Sequence, residues 1–541
     1  MTSRDVANGP LQADLCIVGA GPVGIALALR SAANGLRVLL VEAGAARVAG
    51  GSDIGSQGGL GEIEATGRHH AGMAAISRSG LGGTSVLWGG RCVAFDDLDF
   101  EKRAHVGFSG WPIAHDEVSR HYPAALQFLN CAPAASDDTL ETGQPVTARA
   151  LERWSANPDL GRTHEKSIAA SPNIQVVTRA MVVGIDLDDG GQRVRRLRVH
   201  LDGAERELRA TRYVLAGGGL GNVRLMLQCQ REWPLKFGGT DGPLGRFYQG
   251  HLTGHVAFVE FTDRKAEAVT AFRRDGRGGY LRNRFQITGE TQRRNGLLNS
   301  VFWPEAFSVA DPAHASGALS ALYLATSGAG LYGRFANGRA LRSRFAEGDL
   351  WARHLGNMRA DPHLLRDLAR SAWNFGSLRT RRLGILPNPA RRYLFRYHAE
   401  QAPDPESRVR LGSAQDGALL PNLSIDYRIG ARDAASVVRS HVIVGRWLAD
   451  TGIGRLEYLF DEEALENAVL DQALDGYHQI GITRMSQGPH EGVVNTDCRV
   501  HDLDNLYVAG SSVFPTGGQA NPTLPAVALA LRLADHLSRS A

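Results

Sequence analysis

The chain has 541 residues, 43% of them hydrophobic, and 60 Lys and Arg stand against 56 Asp and Glu for a formal net charge of +4. That length gives two or three domains, or one large domain with insertions, and a core that needs no disulfide or metal staple. The small charge excludes a dedicated nucleic-acid binder, the apolar content excludes disorder, and 64 glycines without a triplet period exclude collagen.

In chain order, Met1 to Pro10 is polar, with no apolar segment and no twin arginine. Asp14 to Val18 reads as a buried strand and Gly19-Ala20-Gly21-Pro22-Val23-Gly24 as a turn. Ile25 to Asn34 then reads as a helix stopped by Asn34-Gly35, and Arg37 to Val41 as a second buried strand ending on Glu42. A glycine-rich, irregular stretch covers residues 49–94, and residues 111–130 read as helical after Trp111-Pro112. Asn173 to Ile185 and Val194 to Arg209 read as strands, turning near Asp188-Asp189-Gly190-Gly191. Tyr213 to Ala216 is another buried strand, followed by Gly217-Gly218-Gly219 and a helix from Asn222 to Gln230. Residues 255–470 mix strand-like and helical segments with nothing to anchor a register. Leu506 to Gly510 is the last buried strand, and Thr523 to Leu537 the last helix, apolar nearly all round. No apolar run reaches the ~20 residues of a membrane span, so a cytoplasmic protein is expected. Cys16, Cys92, Cys131, Cys229 and Cys498 are widely spaced and form no CxxC pair, which points away from a disulfide framework, a zinc module or any other metal site.

The first turn carries specific chemistry. Gly19 permits the tight turn, Gly21 lets the backbone approach a pyrophosphate, and Gly24 allows close helix–strand packing. Pro22 and Val23 lie in the same turn, and the helix that follows offers free N–H groups and a positive dipole end to that pyrophosphate. Glu42 follows roughly 20 residues later, where an acid meets the ribose hydroxyls of an unphosphorylated dinucleotide. Strand, glycine turn, helix, strand and acid together predict dinucleotide binding. They leave NAD and FAD both open.

Two further segments go beyond that unit. One is Gly80-Leu81-Gly82-Gly83-Thr84-Ser85-Val86-Leu87-Trp88-Gly89-Gly90. The other is the C-terminal block, which runs from His478-Gln479-Ile480-Gly481-Ile482-Thr483-Arg484-Met485 to Gly510-Ser511 and on to Asn521-Pro522-Thr523. With the first turn, and with Ser109-Gly110-Trp111-Pro112 and Gln401 to Val409, these resemble the glucose–methanol–choline (GMC) family of FAD-dependent oxidoreductases. Val494-Asn495-Thr496-Asp497 through Thr523 is most similar to the pyranose 2-oxidase and bacterial glycoside 3-oxidase branch.

The resemblance implies an α/β fold. A discontinuous Rossmann-type FAD domain would comprise residues 1–100, 173–255 and 471–541. A second, α+β substrate domain with a large antiparallel sheet, six-stranded in the family, would comprise 101–172 and 256–470 with helical insertions. It implies that Gly83, Thr84, Leu87, Trp88 and Gly89 line the flavin and pyrophosphate. Val182, Ala216 and Gly217 would lie by the adenine half, and Gly510, Ser511, Pro522 and Thr523 near the flavin ring. Pyranose 2-oxidases tether FAD through a histidine at the position of Leu87, so non-covalent FAD is expected here.

The resemblance also implies the chemistry. An alcohol gives hydride to flavin N5, and its hydroxyl proton goes to a base; His478 is that base, with Asn521 orienting the substrate oxygen. The expected reaction is oxidation of a secondary alcohol to a ketone, on a sugar or glycoside. Electrons then pass to dioxygen, giving hydrogen peroxide, or to a quinone or protein acceptor. A sterol or secondary-metabolite alcohol is an alternative substrate. An FAD-binding subunit inactive without a partner is a further alternative.

Weaker candidates fill out the chain. His251 follows Gly245-Arg246-Phe247-Tyr248, where relatives often carry a substrate-side histidine, against the reading of a packed structural histidine. His490 and His501 lie in turns and are expected to be solvated; Cys92 and Cys229 are expected to be small buried residues. Arginines between Arg366 and Arg396 suit an acidic partner or an anionic substrate less well than a solvated face.

Overall fold

Leu15, Cys16, Ile17 and Val18 form a continuous apolar run, and the strand they close, Leu11–Val18, is buried at all four positions. Strands of this kind belong in the middle of a parallel sheet covered on both faces. The computed structural model describes residues 11–46, 62–133, 143–328, 347–369, 388–413 and 418–539. In it Leu11–Val18 runs parallel to Val38–Val41 on one side and Ala204–Leu215 on the other. Ile174–Val177 extends the sheet beyond Val38–Val41, and Leu506–Val508 pairs in parallel with the C-terminal end of Ala204–Leu215. The N-terminal half of that long strand instead pairs antiparallel with Val194–Leu201, which pairs with Ala180–Leu187. Seven strands among the described residues make up this sheet.

The helices flanking it follow from the sequence. Pro22–Ala33 starts on a proline at its first position and ends at Asn34, with Gly35 at φ +95° reversing the chain. The last helix, Thr523–Arg539, packs against it. Arg30 and Asp535 clamp the two at 2.7 and 3.1 Å; the pair is partly exposed and contributes under ~1 kcal/mol.

The second sheet is antiparallel and runs in the order Gly454–Tyr458, His251–Phe261, Arg392–Glu400, Ser300–Glu305, Tyr280–Ile287, Val146–Trp154. Two strands of two residues, Arg91–Cys92 and Arg273–Arg274, extend it, so the described residues give eight strands where the family implies six. Alternation along the strands splits its faces. Leu252, Phe285, Phe302, Phe395 and Tyr397 bury against the helix Ala431–Asp450 through Val437, Val444 and Trp447. The opposite face carries His251, His398, Arg284 and Glu152 toward the first layer. A third, small sheet joins Arg408–Leu411, Leu423–Asp426 and Ile63–Thr66.

Local differences from the sequence reading have local causes. The strand expected over Asn173 to Ile185 breaks at Arg179, which takes φ +57°, and its two halves pair in different parts of the sheet. The strand expected over Val194 to Arg209 turns at Asp202-Gly203, both at positive φ. The division into 1–100, 173–255 and 471–541 against the rest is crossed in three places. Arg91–Cys92 and the first residues of His251–Phe261 belong to the second sheet. The helices His115–Ser119 and Tyr122–Phe128 pack on Thr523–Arg539. No helix among the described residues is long and apolar enough to cross a membrane.

Candidate active site

Three neighbouring parallel strands end at the same edge, and each hands over directly to one of the segments singled out in the sequence. Leu11–Val18 leads to Gly19–Gly24, Ala204–Leu215 to Ala216-Gly217, and Leu506–Val508 to Gly510-Ser511. The crevice beyond the carboxyl ends of parallel strands is where open α/β sheets bind ligands.

The three glycines of the turn do different things. A Cβ on Gly19, at φ +104°, would lie 2.6 Å from Ala216 O, and one on Gly24 would lie 1.9 Å from Gly19 O. A Cβ on Gly21 would meet nothing within 4 Å. The first two positions are closed by the protein itself; the third faces open space at the start of Pro22–Ala33, a helix without a side-chain cap. Pro22 and Val23 are half-buried beside it. The segment Gly83–Val86 forms a short 3₁₀ turn against this edge, where Gly82 N–H donates to Ala20 O at 2.8 Å. Thr84, Leu87 and Gly89 are exposed along the same loop, as is Gly217 across the crevice, while Trp88 holds the loop by donating its indole N–H to Pro158 O at 2.8 Å. Val182 is buried in Ala180–Leu187, where the pairing slips between Val182 and Gly184.

Glu42, expected from its spacing to meet a ribose, is buried and engaged by the backbone. Its carboxylate accepts N–H groups from Ala20, Gly44 and Gly80, each at 2.8 Å. It therefore ties the glycine turn to the loop that follows. Burial raises its pKa, and these N–H groups oppose the rise.

Beside Gly510-Ser511, where the Ser511 hydroxyl donates to His478 O at 2.7 Å, His478 and Asn521 stand side by side, Asn521 Nδ2 3.2 Å from His478 Nε2. Behind them lies Asp475, buried, with its carboxylate 2.7 Å from His478 Nδ1 and accepting the N–H of His251 at 2.6 Å and of Tyr477 at 2.8 Å. His251 Nδ1 lies 3.0 Å from His478 Nδ1, and His251 Nε2 lies 3.1 Å from Gly518 O. These partners assign the protons. Gly518 O can only accept, so His251 carries its hydrogen on Nε2 and offers a lone pair at Nδ1. His478 Nδ1, between that lone pair and a carboxylate, carries the hydrogen. Its Nε2 is left as a lone pair, with the Asn521 amide N–H directed at it. Asn521 Oδ1 is buried with no hydrogen-bond partner among the described residues.

The electrostatics agree. Burial alone would raise the Asp475 pKa; His478 and His251 overcome it and hold the carboxyl at about 2. Burial, reinforced by His478, pushes His251 down to about 3, so it stays neutral. His398 stacks on His251 at 4.3 Å and is pushed well below its usual range by burial and by His251 and Arg91.

The sequence reading paired His478 with Asn521 and favoured a packed structural histidine at His251 over a substrate-side one; the structure buries His251 completely, against His478. The sequence reading missed Asp475 and His398. Asp475 had a local signal, an acid three residues before the histidine in one loop. His398 had none: it reaches the site because Thr253 faces it across the sheet, which makes it the diagonal neighbour of His251. His490 is exposed in a turn, whereas His501 Nε2 lies 3.1 Å from Ser486 Oγ. All five cysteines are buried and unbridged. Arg391, Arg392 and Arg396 are engaged with Phe261 O, Glu457 and Glu305, so this end of the arginine stretch is part of the sheet. Arg379, Arg381 and Arg382 lie outside the described residues.

Residues 403–530 match the family model of GMC oxidoreductases. The chain is 25% identical over 516 residues to 2-methyl-1,2-propanediol dehydrogenase of Mycolicibacterium austroafricanum, spanning 85% of this chain and 80% of that protein. It is 35% identical over 129 residues to C-glycoside 3-oxidase of Arthrobacter globiformis, spanning 24% of this chain and 23% of that one. Among solved structures, an FAD-dependent oxidoreductase from Chaetomium thermophilum shares the fold with a TM-score of 0.55 at 16% identity, covering 98% of this chain and 99% of that one.

Proposed function

We propose that this chain, a GMC oxidoreductase, binds FAD and oxidises a secondary alcohol, on a sugar or glycoside, to a ketone. The observation that carries the reading is a half-buried imidazole, backed by a buried carboxylate, whose Nε2 lone pair faces a carboxamide beside the glycine-lined edge of the parallel sheet. The residues fit FAD. Open space at Gly21 beside an uncapped helix start suits a pyrophosphate. The orphaned Asn521 Oδ1 requires a donor that a bound molecule would supply. Gly83, Thr84, Leu87 and Gly89 would line one side of the cofactor, and Ala216, Gly217, Gly510 and Ser511 the other, with Val182 by the adenine. Pro522-Thr523 would present the N-terminus of the last helix to the ring. Leu87, rather than a histidine, supports a non-covalent cofactor.

FAD, when bound, supplies the hydride acceptor. His478 Nε2 takes the hydroxyl proton, and Asp475 neutralises the imidazolium so formed. Asn521 holds the substrate oxygen against Nε2 by its amide N–H. His251, neutral and fixed by Gly518 O, keeps the His478 ring from turning.

The test is anaerobic addition of sugars, glycosides and small secondary alcohols to the purified yellow protein, followed by air. Bleaching of the flavin absorption by at least one alcohol without a partner protein, and FAD released into solution by acid precipitation, are the expected results. A protein that purifies without flavin and cannot be loaded with FAD would overturn the reading.

A further inference from the structure

We propose that the alcohol substrate carries an oxyanion, a carboxylate or a phosphate, that docks on Arg91 and Arg284 beside the catalytic histidine. The inference rests on the alcohol-oxidation reading and names its substrate class. It starts from an imbalance of buried charge. On the sheet face turned toward the first layer, Glu152 is fully buried and meets three guanidinium groups: Arg91 Nε at 2.5 Å, Arg282 Nε at 2.5 Å and Arg284 Nε at 3.6 Å. The register brings Arg282 opposite Glu152 and Arg91 opposite Trp154. Asp96, the other acid facing Arg284, is committed to the amides of Gln286 and Asn299 at 2.6 and 2.9 Å. Arg396 pairs with Glu305. Even with Asp96 counted, the group keeps a net positive charge among the described residues. A purely structural ion pair in this protein looks different. Arg103 and Glu400, equally buried, meet one to one through two bonds at 2.7 and 2.5 Å.

Buried charge without a counter-charge is costly unless something pairs with it. Burial and the neighbouring Arg284, Arg282 and Arg396 push Arg91 down to about 9, against the pull of Glu152. Arg91 Nη2 is buried with no hydrogen-bond acceptor among the described residues, while other atoms of the side chain keep 18% of its surface open. The guanidinium fork is suited to paired contacts with a carboxylate or phosphate.

Position ties the group to the reacting centre. Arg91 follows the Gly83–Gly90 loop directly and lies 4.3 Å from the Trp303 ring centroid. Trp303 lies 6.4 Å from His398, and His398 lies 5.9 Å from His478, between ring centroids. Arg284 Nη1 donates at 2.9 Å to Gln519 Oε1, two residues before Asn521. An alcohol held at His478 and Asn521 with its acidic end directed past His398 and Trp303 would bring that end toward these arginines.

The test compares matched pairs by anaerobic calorimetry on the FAD-loaded protein whose flavin has first been reduced with dithionite, so that no hydride can transfer during the titration. The pairs are methyl β-glucuronide with methyl β-glucoside, and glucose 6-phosphate with glucose. At least one acidic member should bind tenfold or more tightly than its neutral twin. Arg91→Gln should collapse that ratio and Arg91→Lys restore part of it, and the stronger acid names the oxyanion. Equal affinities within both pairs, or a preference that survives Arg91→Gln, would overturn the proposal. The wild-type comparison alone decides the matter if the variants do not fold. Failure of every alcohol to bleach the flavin would count against alcohol oxidation instead, because the affinity ratio is read without turnover.

Discussion

His478 can accept a proton at Nε2 only while its own hydrogen sits on Nδ1, and Asp475 is the group that keeps it there. An amide in place of the carboxylate can present N–H to Nδ1 and move the hydrogen to the wrong nitrogen. Asp475→Asn is therefore expected to lower kcat by roughly 10²-fold or more, as a tautomer-setting carboxylate does elsewhere. KM should stay within about threefold, since Asp475 is a positioning residue. Stopped-flow reduction checks this, with FAD content as the control; a parallel loss in KM and FAD would mean the loop had simply collapsed. Asn521→Ala would remove the proposed hydrogen bond to the substrate oxygen and should cost about 10- to 100-fold in the same rate. His478 and Asn521 were legible in the sequence because distinctive residues surround both. Asp475 stood in plain view but without such a frame, and His398 sits in the stretch where no local pattern fixed a register.

The glycine turn is the element where sequence and structure agree most closely, because each of its constraints is local. Gly24→Ala drives a Cβ into the carbonyl of Gly19 and should destabilise the protein by roughly 2 kcal/mol or more. Gly21→Ala adds a methyl group to open space, so thermal unfolding of the cofactor-free protein should be nearly unchanged. FAD affinity, measured by titration, should nevertheless fall at least tenfold. Equal effects of the two substitutions on stability would contradict the separate roles given to these glycines. The second sheet was far less legible. Its strands pair residues hundreds of positions apart, as in Val146–Trp154 with Tyr280–Ile287, and neither partner announces the other. The polar face that meets the site is set by that register, which is why the arginines around Glu152 escaped the sequence reading.

Across the whole molecule, burial leaves many histidines neutral. His251 and His314 are pushed down to about 3 and His441 to about 4, chiefly by burial, and His398 falls well below its usual range. His70, His121, His164, His354, His501 and His536 shift the same way. Unfolded, each titrates near 6.5, so below that pH the unfolded chain binds more protons and each group removes up to ~1.4 kcal/mol of stability per pH unit. Burial raises Glu42, Asp99 and Asp433, the last to about 6, and these oppose the trend but are outnumbered. The Tm should thus fall steadily from pH 7 to pH 5; a Tm that holds or rises over that range would contradict the burial of these rings as neutral groups. The two-layer division was legible only through family resemblance, since composition shows no linker between parts that interleave along the chain. Where the layers meet stands the imidazole at position 478, backed by an acid and faced by an amide. The most direct measurement is therefore the anaerobic rate of flavin reduction by a bleaching alcohol in His478→Ala. That rate should fall 10²- to 10⁴-fold while FAD remains bound at the wild-type ratio. Reduction at the wild-type rate would contradict the central role given to this histidine.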